Sequence, residues 1–170
     1  PMNVMKYIGI FMLFIAAGFY GLILLSPSEI TFQVNEDVSA PIQSVFEALH
    51  EPQALPNWMH GLDIAKQTKG DGVGRESEYD LFYPKEMVMH RVITVCDTFT
   101  RLAVVGDVPD FFSRTDDYTL EVLDSNHTRI SVMVKMKALS MGSRMMLRTE
   151  ETHKINTATN LSALKKYIEN

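Results

Sequence analysis

The sequence predicts an α+β protein: a curved antiparallel sheet wrapped on one long C-terminal helix, preceded by an N-terminal transmembrane helix. Three observations carry this. Residues 7–28 read YIGIFMLFIAAGFYGLILLSPS, apolar on every side and without a charged residue. Six segments between Leu62 and Met136 then alternate with period two. Residues 141–168 finally hold no proline and only Gly142 as glycine, with an apolar side of Ile155, Leu161, Leu164 and Ile168.

Composition narrows the function classes. A chain of 170 residues suits one domain with a modest attachment. With 46% hydrophobic and 22% charged residues, wholesale disorder is excluded. A net charge of −5 provides no basic face, so nucleic acid is not an expected partner. Cys96 is the single cysteine and cannot form an internal disulfide.

The apolar run has the length a bilayer core needs, about 20 residues at helical rise. A cleaved secretory signal has a shorter core, about 7–15 residues, and small residues at its cleavage site. The exit Leu24-Leu25-Ser26 has no such pattern. Residues 1–28 are therefore read as a retained anchor rather than a cleaved signal, and 29–170 as the domain it carries. Lys6 is the only charge before the run and Glu29 the first after it. The positive-inside rule then puts the N-terminus in the cytoplasm and makes the protein single-pass with an extracytoplasmic C-terminal domain. Ala17 and Gly21 have a small-xxx-small spacing, read here as part of a lipid-facing helix.

Beyond the anchor, Ile30, Phe32 and Val34 alternate with polar neighbours, a half-buried strand over 30–38. Ser39-Ala40-Pro41 opens a helix, because proline is tolerated in the first turn. Ile42, Val45, Phe46 and Leu49 give that helix its apolar stripe, and Pro52 stops it. A further short turn precedes Trp58. Strands follow over 62–68, 74–83, 86–95, 100–105, 112–123 and 128–136. Short turns such as Lys69-Gly70-Asp71-Gly72 and Asp124-Ser125-Asn126 join them into an antiparallel meander. A sheet with one apolar face must bury it, and the long helix over 141–168 is the only element large enough.

Strand parity selects the candidate ligand-binding residues. In 74–83, Glu76, Glu78 and Asp80 share the solvent face, leaving Ser77, Tyr79 and Leu81 to face the helix. In 112–123 the inward set is Tyr118, Leu120 and Val122, and the same parity carries Arg114 and Asp116. In 128–136 it is Ile130, Val132, Val134 and Met136. His90 points inward only if Val88 and Val92 do. Tyr79, His90, Arg114, Asp116 and Tyr118 would then be polar spots in an apolar cavity, as in sites that orient small ligands. The alternative for Arg114 and Asp116 is an ion pair in solvent at an open strand end. Trp58, the only tryptophan, either packs the core or lines the cavity mouth.

The five histidines form no metal-ligand spacing with one another or with Cys96, so no metal and no cofactor are expected. Gly72-Val73-Gly74 lacks the remainder of a nucleotide-binding fingerprint and reads as a turn.

Three stretches together, VNEDVSAPIQSVFEALHEPQALPNWM, KGDGVGRESEY and the terminal NLSALKKYIEN, resemble the START-like, helix-grip superfamily (SRPBCC-type domains) over about residues 30–170. The group includes polyketide cyclase/dehydrase-like proteins, lipid-transfer START domains and pollen-allergen-like proteins. The resemblance implies a cavity for a hydrophobic ligand, whereas activity differs among members.

The expected function is a membrane-anchored binding module for a hydrophobic or amphipathic, lipid-like small molecule, without covalent chemistry and with no catalytic residue. Two alternatives stand beside it. One is a collapsed-cavity accessory subunit that meets a membrane protein partner. The other is a cyclase/dehydrase-type enzyme, which would need His90 paired with Asp116 or Tyr79 as acid and base. A continuous cavity of about 300 Å³ or more separates binding from collapse.

Overall fold

The computed structural model describes residues 2–170. The chain runs α1 (Met2–Leu24), β1 (Glu29–Val38), α2 (Ile42–His50), a single 3-10 turn (Leu55–Asn57), β2 (Ile64–Lys69), β3 (Glu78–Tyr83), β4 (Met87–Asp97), β5 (Arg101–Val108), β6 (Phe112–Asp124), β7 (His127–Ala138), α3 (Met141–Leu147) and α4 (Glu150–Glu169). The strands form one antiparallel sheet in the order β1-β7-β6-β5-β4-β3-β2. Neighbours from β2 to β7 are consecutive in sequence, and the first strand returns beside the last. This is the helix-grip arrangement, with α4 gripped by the sheet.

Packing follows the alternation. Ile30 and Phe32 of β1, Leu81 of β3, Ile93 of β4, Leu102 and Val104 of β5, and Ile130, Val132, Val134 and Met136 of β7 face inward and are buried. Leu161 and Leu164 of α4 meet them, and Val45, Phe46 and Leu49 of α2 close one end. Thr128 Oγ1 donates to the Ala40 carbonyl at 2.9 Å, tying β7 to the entry of α2. Glu169 accepts from the Ser39 amide at 2.6 Å, so the end of α4 caps the same corner.

α1 contains an apolar stretch, Lys6–Leu24, long enough to cross a membrane, none of it buried in the protein. It touches α3, and Ser26 Oγ donates to the Leu22 carbonyl at 2.7 Å where it ends.

Four details depart from the sequence-based expectation. The C-terminal helix is two helices, broken at Arg148 and Thr149. Ser140 and Ser143 form a capping box that starts α3, and Thr149 with Glu150 and Glu151 begins α4 afresh. Ile155 is 56% exposed rather than buried. The inward stripe is Thr157, Leu161 and Leu164, and Ile155 lies two residues, about 200°, away from Thr157.

The strand expected from Gly74 begins only at Glu78. Asp71 gathers the preceding loop, accepting from the amides of Val73 (3.0 Å) and Gly74 (2.6 Å) and from Ser77 Oγ (2.8 Å). Those hydrogen bonds, the Gly74 amide foremost, lower the Asp71 pKa to about 2. A side chain at Gly70, φ +80°, would collide with Ser77, so that position requires glycine. Val122, expected inward, is 57% exposed, because it lies in the last part of β6, where every residue from Glu121 to Asp124 is exposed.

Burial separates two residues that the sequence alone groups together. Leu164→Ala should destabilise the full chain in detergent by about 2–5 kcal/mol, the cost of a core leucine. Ile155→Ala should stay within about 0.5 kcal/mol, as exposed positions do. Chemical denaturation checks both.

Candidate functional site

Between the sheet and the middle of α4 lies a partly enclosed cavity of about 70 Å³. Its floor is Arg91, Gly106 and Arg114, the middle of a row of residues in register across the strands. Tyr79 of β3 pairs with Arg91 of β4, Arg91 with Gly106 of β5, Gly106 with Arg114 of β6, and Arg114 with Met136 of β7. Gly106 carries no side chain, so the row has a gap between two guanidinium-bearing positions. Their backbones stand two strand spacings apart, roughly 10 Å. Leu81, Met89 and Tyr83 extend the wall on one side, Asp116 and Tyr118 on the other, and Trp58, Met59, Thr157, Asn160 and Leu161 form the roof.

Arg114 is held in place. Its Nε donates to Asp116 Oδ1 at 2.8 Å and Oδ2 at 3.1 Å, and its Nη2 donates to Thr157 Oγ1 of α4 at 3.2 Å. The pair is not the solvent-exposed end pair considered as an alternative: its side chains are 20% and 12% exposed. Arg91 is different. It is 2% exposed, its Nη1 reaches only the Met59 sulfur at 3.6 Å, and its Nη2 has no partner. Its guanidinium sits 5.5 Å from the Tyr79 ring centroid, a cation–π contact.

Burial, and then the Asp116 carboxylate, pushes the Tyr118 phenol far above its ordinary value. Burial likewise raises Tyr79 and Tyr83. All three phenols are therefore neutral donors at neutral pH, and the Tyr79 hydroxyl is buried without a partner. Arginine stays charged even when buried. The charged groups lining the cavity are thus two cations against one anion.

Of the residues expected from sequence, the fold brings Trp58, Arg114, Asp116 and Tyr118 to this cavity. Trp58 serves both roles weighed for it: it is buried in the core, its Nε1 donates to the Ala48 carbonyl at 2.9 Å, and its ring lines the cavity. Tyr79 faces inward but lies behind Arg91 rather than on the cavity wall. His90 is a correction. β4 turns Met89, Arg91 and Ile93 inward, so His90 emerges on the opposite face, where its Nδ1 lies 2.9 Å from Asp80 Oδ1. The sheet separates it from Asp116 and Tyr79, and the acid–base pair considered for a cyclase is not formed. Both faces of β4 are apolar, which hid the parity. Sequence reasoning also missed Arg91 and Gly106. A glycine inside an otherwise strand-like VVGDV segment was the available signal, since it marks close approach by another group.

A larger depression, about 490 Å³, lies between α2 and the Asp71 loop near Phe46, His50, Cys96 and Phe99. It opens broadly to solvent and has no buried polar group without a partner, so the partly enclosed cavity is the stronger site. Among the described residues, no group of three or more His, Cys, Asp or Glu side chains is placed to hold a metal.

No family model and no curated protein matches the sequence. Solved structures do match in fold. Ara h 8.0201 is 14% identical with a TM-score of 0.63, covering 82% of this chain and 97% of its own. Norcoclaurine synthase from Thalictrum flavum, in complex with dopamine and hydroxybenzaldehyde, is 13% identical with a TM-score of 0.61, covering 86% and 89%. The di-domain ARO/CYC protein BexL from the BE-7585A biosynthetic pathway is 14% identical with a TM-score of 0.68, covering 82% of this chain and 46% of its own. At such identities the likeness is one of fold.

The two arginines differ in what their loss should do to stability. Asp116→Ala, which strands the Arg114 charge, should cost about 3–5 kcal/mol. Arg91→Met, which replaces an incompletely partnered buried cation by an unbranched apolar chain, should instead stabilise by about 1–4 kcal/mol. Denaturant titration of both variants in detergent checks the contrast.

Proposed function

We propose that this chain is a membrane-anchored binding module for an amphipathic small molecule, whose head enters the cavity between the sheet and α4. The observation that carries the reading is the partly enclosed cavity lined by a buried Arg91 whose Nη2 has no hydrogen-bond partner. An unpaired buried polar group costs free energy, and a site of fixed polar groups in an apolar wall is how proteins orient small ligands. The fold is also that of norcoclaurine synthase, a protein observed with two small molecules bound.

The cavity is far smaller than the roughly 300–1,000 Å³ of a site that encloses a whole ligand. It accommodates a head group. The remainder of the ligand would lie over Met59 and Met89, unbranched side chains that yield readily to a guest. Asn160 forms part of the roof and also borders a surface depression with His60, whose amide donates to Asn160 Oδ1 at 3.0 Å.

The anchor gives this binding a location. α1 would span the bilayer once, with the sheet domain on the extracytoplasmic side, and tethering raises the local concentration of membrane-derived ligand around the site. The modest cavity volume favours a second reading, an accessory module that meets a membrane protein partner and takes no ligand.

Two outcomes test these readings. Full-length protein should stay with membranes through high salt and alkaline carbonate and leave them only in detergent. Recovery of a soluble form starting near Ser28 would instead make α1 a cleaved signal. In detergent, the single Trp58 should report saturable binding of amphipathic molecules through a change in its fluorescence. A folded protein with no saturable binding across such a panel would support the accessory-module reading.

A further inference from the structure

We infer that the head group bound in this cavity is a carboxylate, seated between Arg91 and Arg114 above Gly106; this rests on the ligand-binding reading given above. The first ground is charge. Arg91 and Arg114 face one carboxylate, Asp116, among the groups that line the cavity, and Tyr79, Tyr83 and Tyr118 remain neutral. The site therefore carries a net positive charge, and a buried cation without a full set of partners is held at high cost unless an anion joins it.

Geometry is the second ground. Asp116 and Thr157 occupy Arg114, whereas Arg91 keeps Nη2 free. Guanidinium donors match the two oxygens of a carboxylate. Gly106 separates the two arginines in the cross-strand row and has no side chain to fill the floor. A Cβ there would stand 2.6 Å from Met89 Sδ, so the thioether lies directly over the gap. Moving that flexible side chain opens space beside Arg91 without disturbing the backbone.

The third ground is size. About 70 Å³ admits a small head group such as a carboxylate and excludes a bulky one. An ammonium head would meet two guanidiniums and be repelled. The ligand class is then an acid with an apolar tail.

Decanoate, 1-decanol and decylammonium, equal in tail and different in head, separate the possibilities. Each is titrated into full-length protein in a non-ionic detergent, with Trp58 fluorescence as the readout. The expected result is that decanoate binds at least about tenfold more tightly than 1-decanol, the scale of one charge-assisted hydrogen-bond set, and that decylammonium does not bind. Arg91→Gln should bring the decanoate-to-1-decanol affinity ratio down to about one. Arg91→Lys, which restores the charge without the fork, should recover part of the preference. Equal affinity for decanoate and 1-decanol, or a preference that survives Arg91→Gln, would overturn the carboxylate assignment and leave the ligand-binding reading standing. No binding of any of the three would overturn both.

Discussion

The structure depends on one long helix, α4, packing on the concave face of a seven-stranded sheet that α2 closes at one end. α4 does so with two kinds of residue. Leu161 and Leu164 are buried against the apolar rows of the strands and close the core there. One and two turns earlier, Asn160 and Thr157 present polar groups, and opposite them the sheet carries Arg91, Arg114 and Asp116. Polar groups held apart by hydrogen-bond geometry do not interdigitate as methylenes do, and a cavity remains where the two chemistries meet. The site is thus a consequence of how the covering helix is composed along its length.

The fold was legible because its signals are local. Period-two alternation, short turns and a proline-free terminal stretch each describe a few consecutive residues, and the topology follows from their order. The inward row of β7, Ile130 to Met136, could be read directly because its partner parity is polar. β4 could not be read this way: Val88 and Val92 on one parity are as apolar as Met89 and Ile93 on the other. Arginine is ordinarily an exposed residue, so nothing in the sequence set Arg91 apart from a surface cation. The helix break at Thr149 was similarly hidden, since no proline or glycine marks it and only a polar residue before two acids signals the restart.

Asp116 was visible to strand parity but its setting was not. An Arg-x-Asp pair at a strand end has the same sequence whether it faces solvent or a helix. The difference is supplied by Thr157, 43 residues later in the chain, which bonds Arg114 from α4. A buried ion pair can contribute little to net stability, because desolvation offsets its Coulombic gain, yet breaking it leaves an uncompensated charge. Here the pair also ties β6 to the polar part of α4.

The sheet order also imposes a schedule. β1 pairs with β7, and Ile30 must wait for Met136, roughly 100 residues later and therefore about 5–20 s at ordinary rates of synthesis. During that interval α1 has already left the ribosome, and the first strand directly after it presents Ile30 and Phe32 with no partner strand. The meander from β2 to β7 can assemble meanwhile, because each of its strands finds its neighbour next in sequence. The nascent chain thus holds an unpaired apolar strand beside a membrane-length helix until its last third appears. That makes this junction the place where a folding helper or a degradative protease would find the newborn protein exposed.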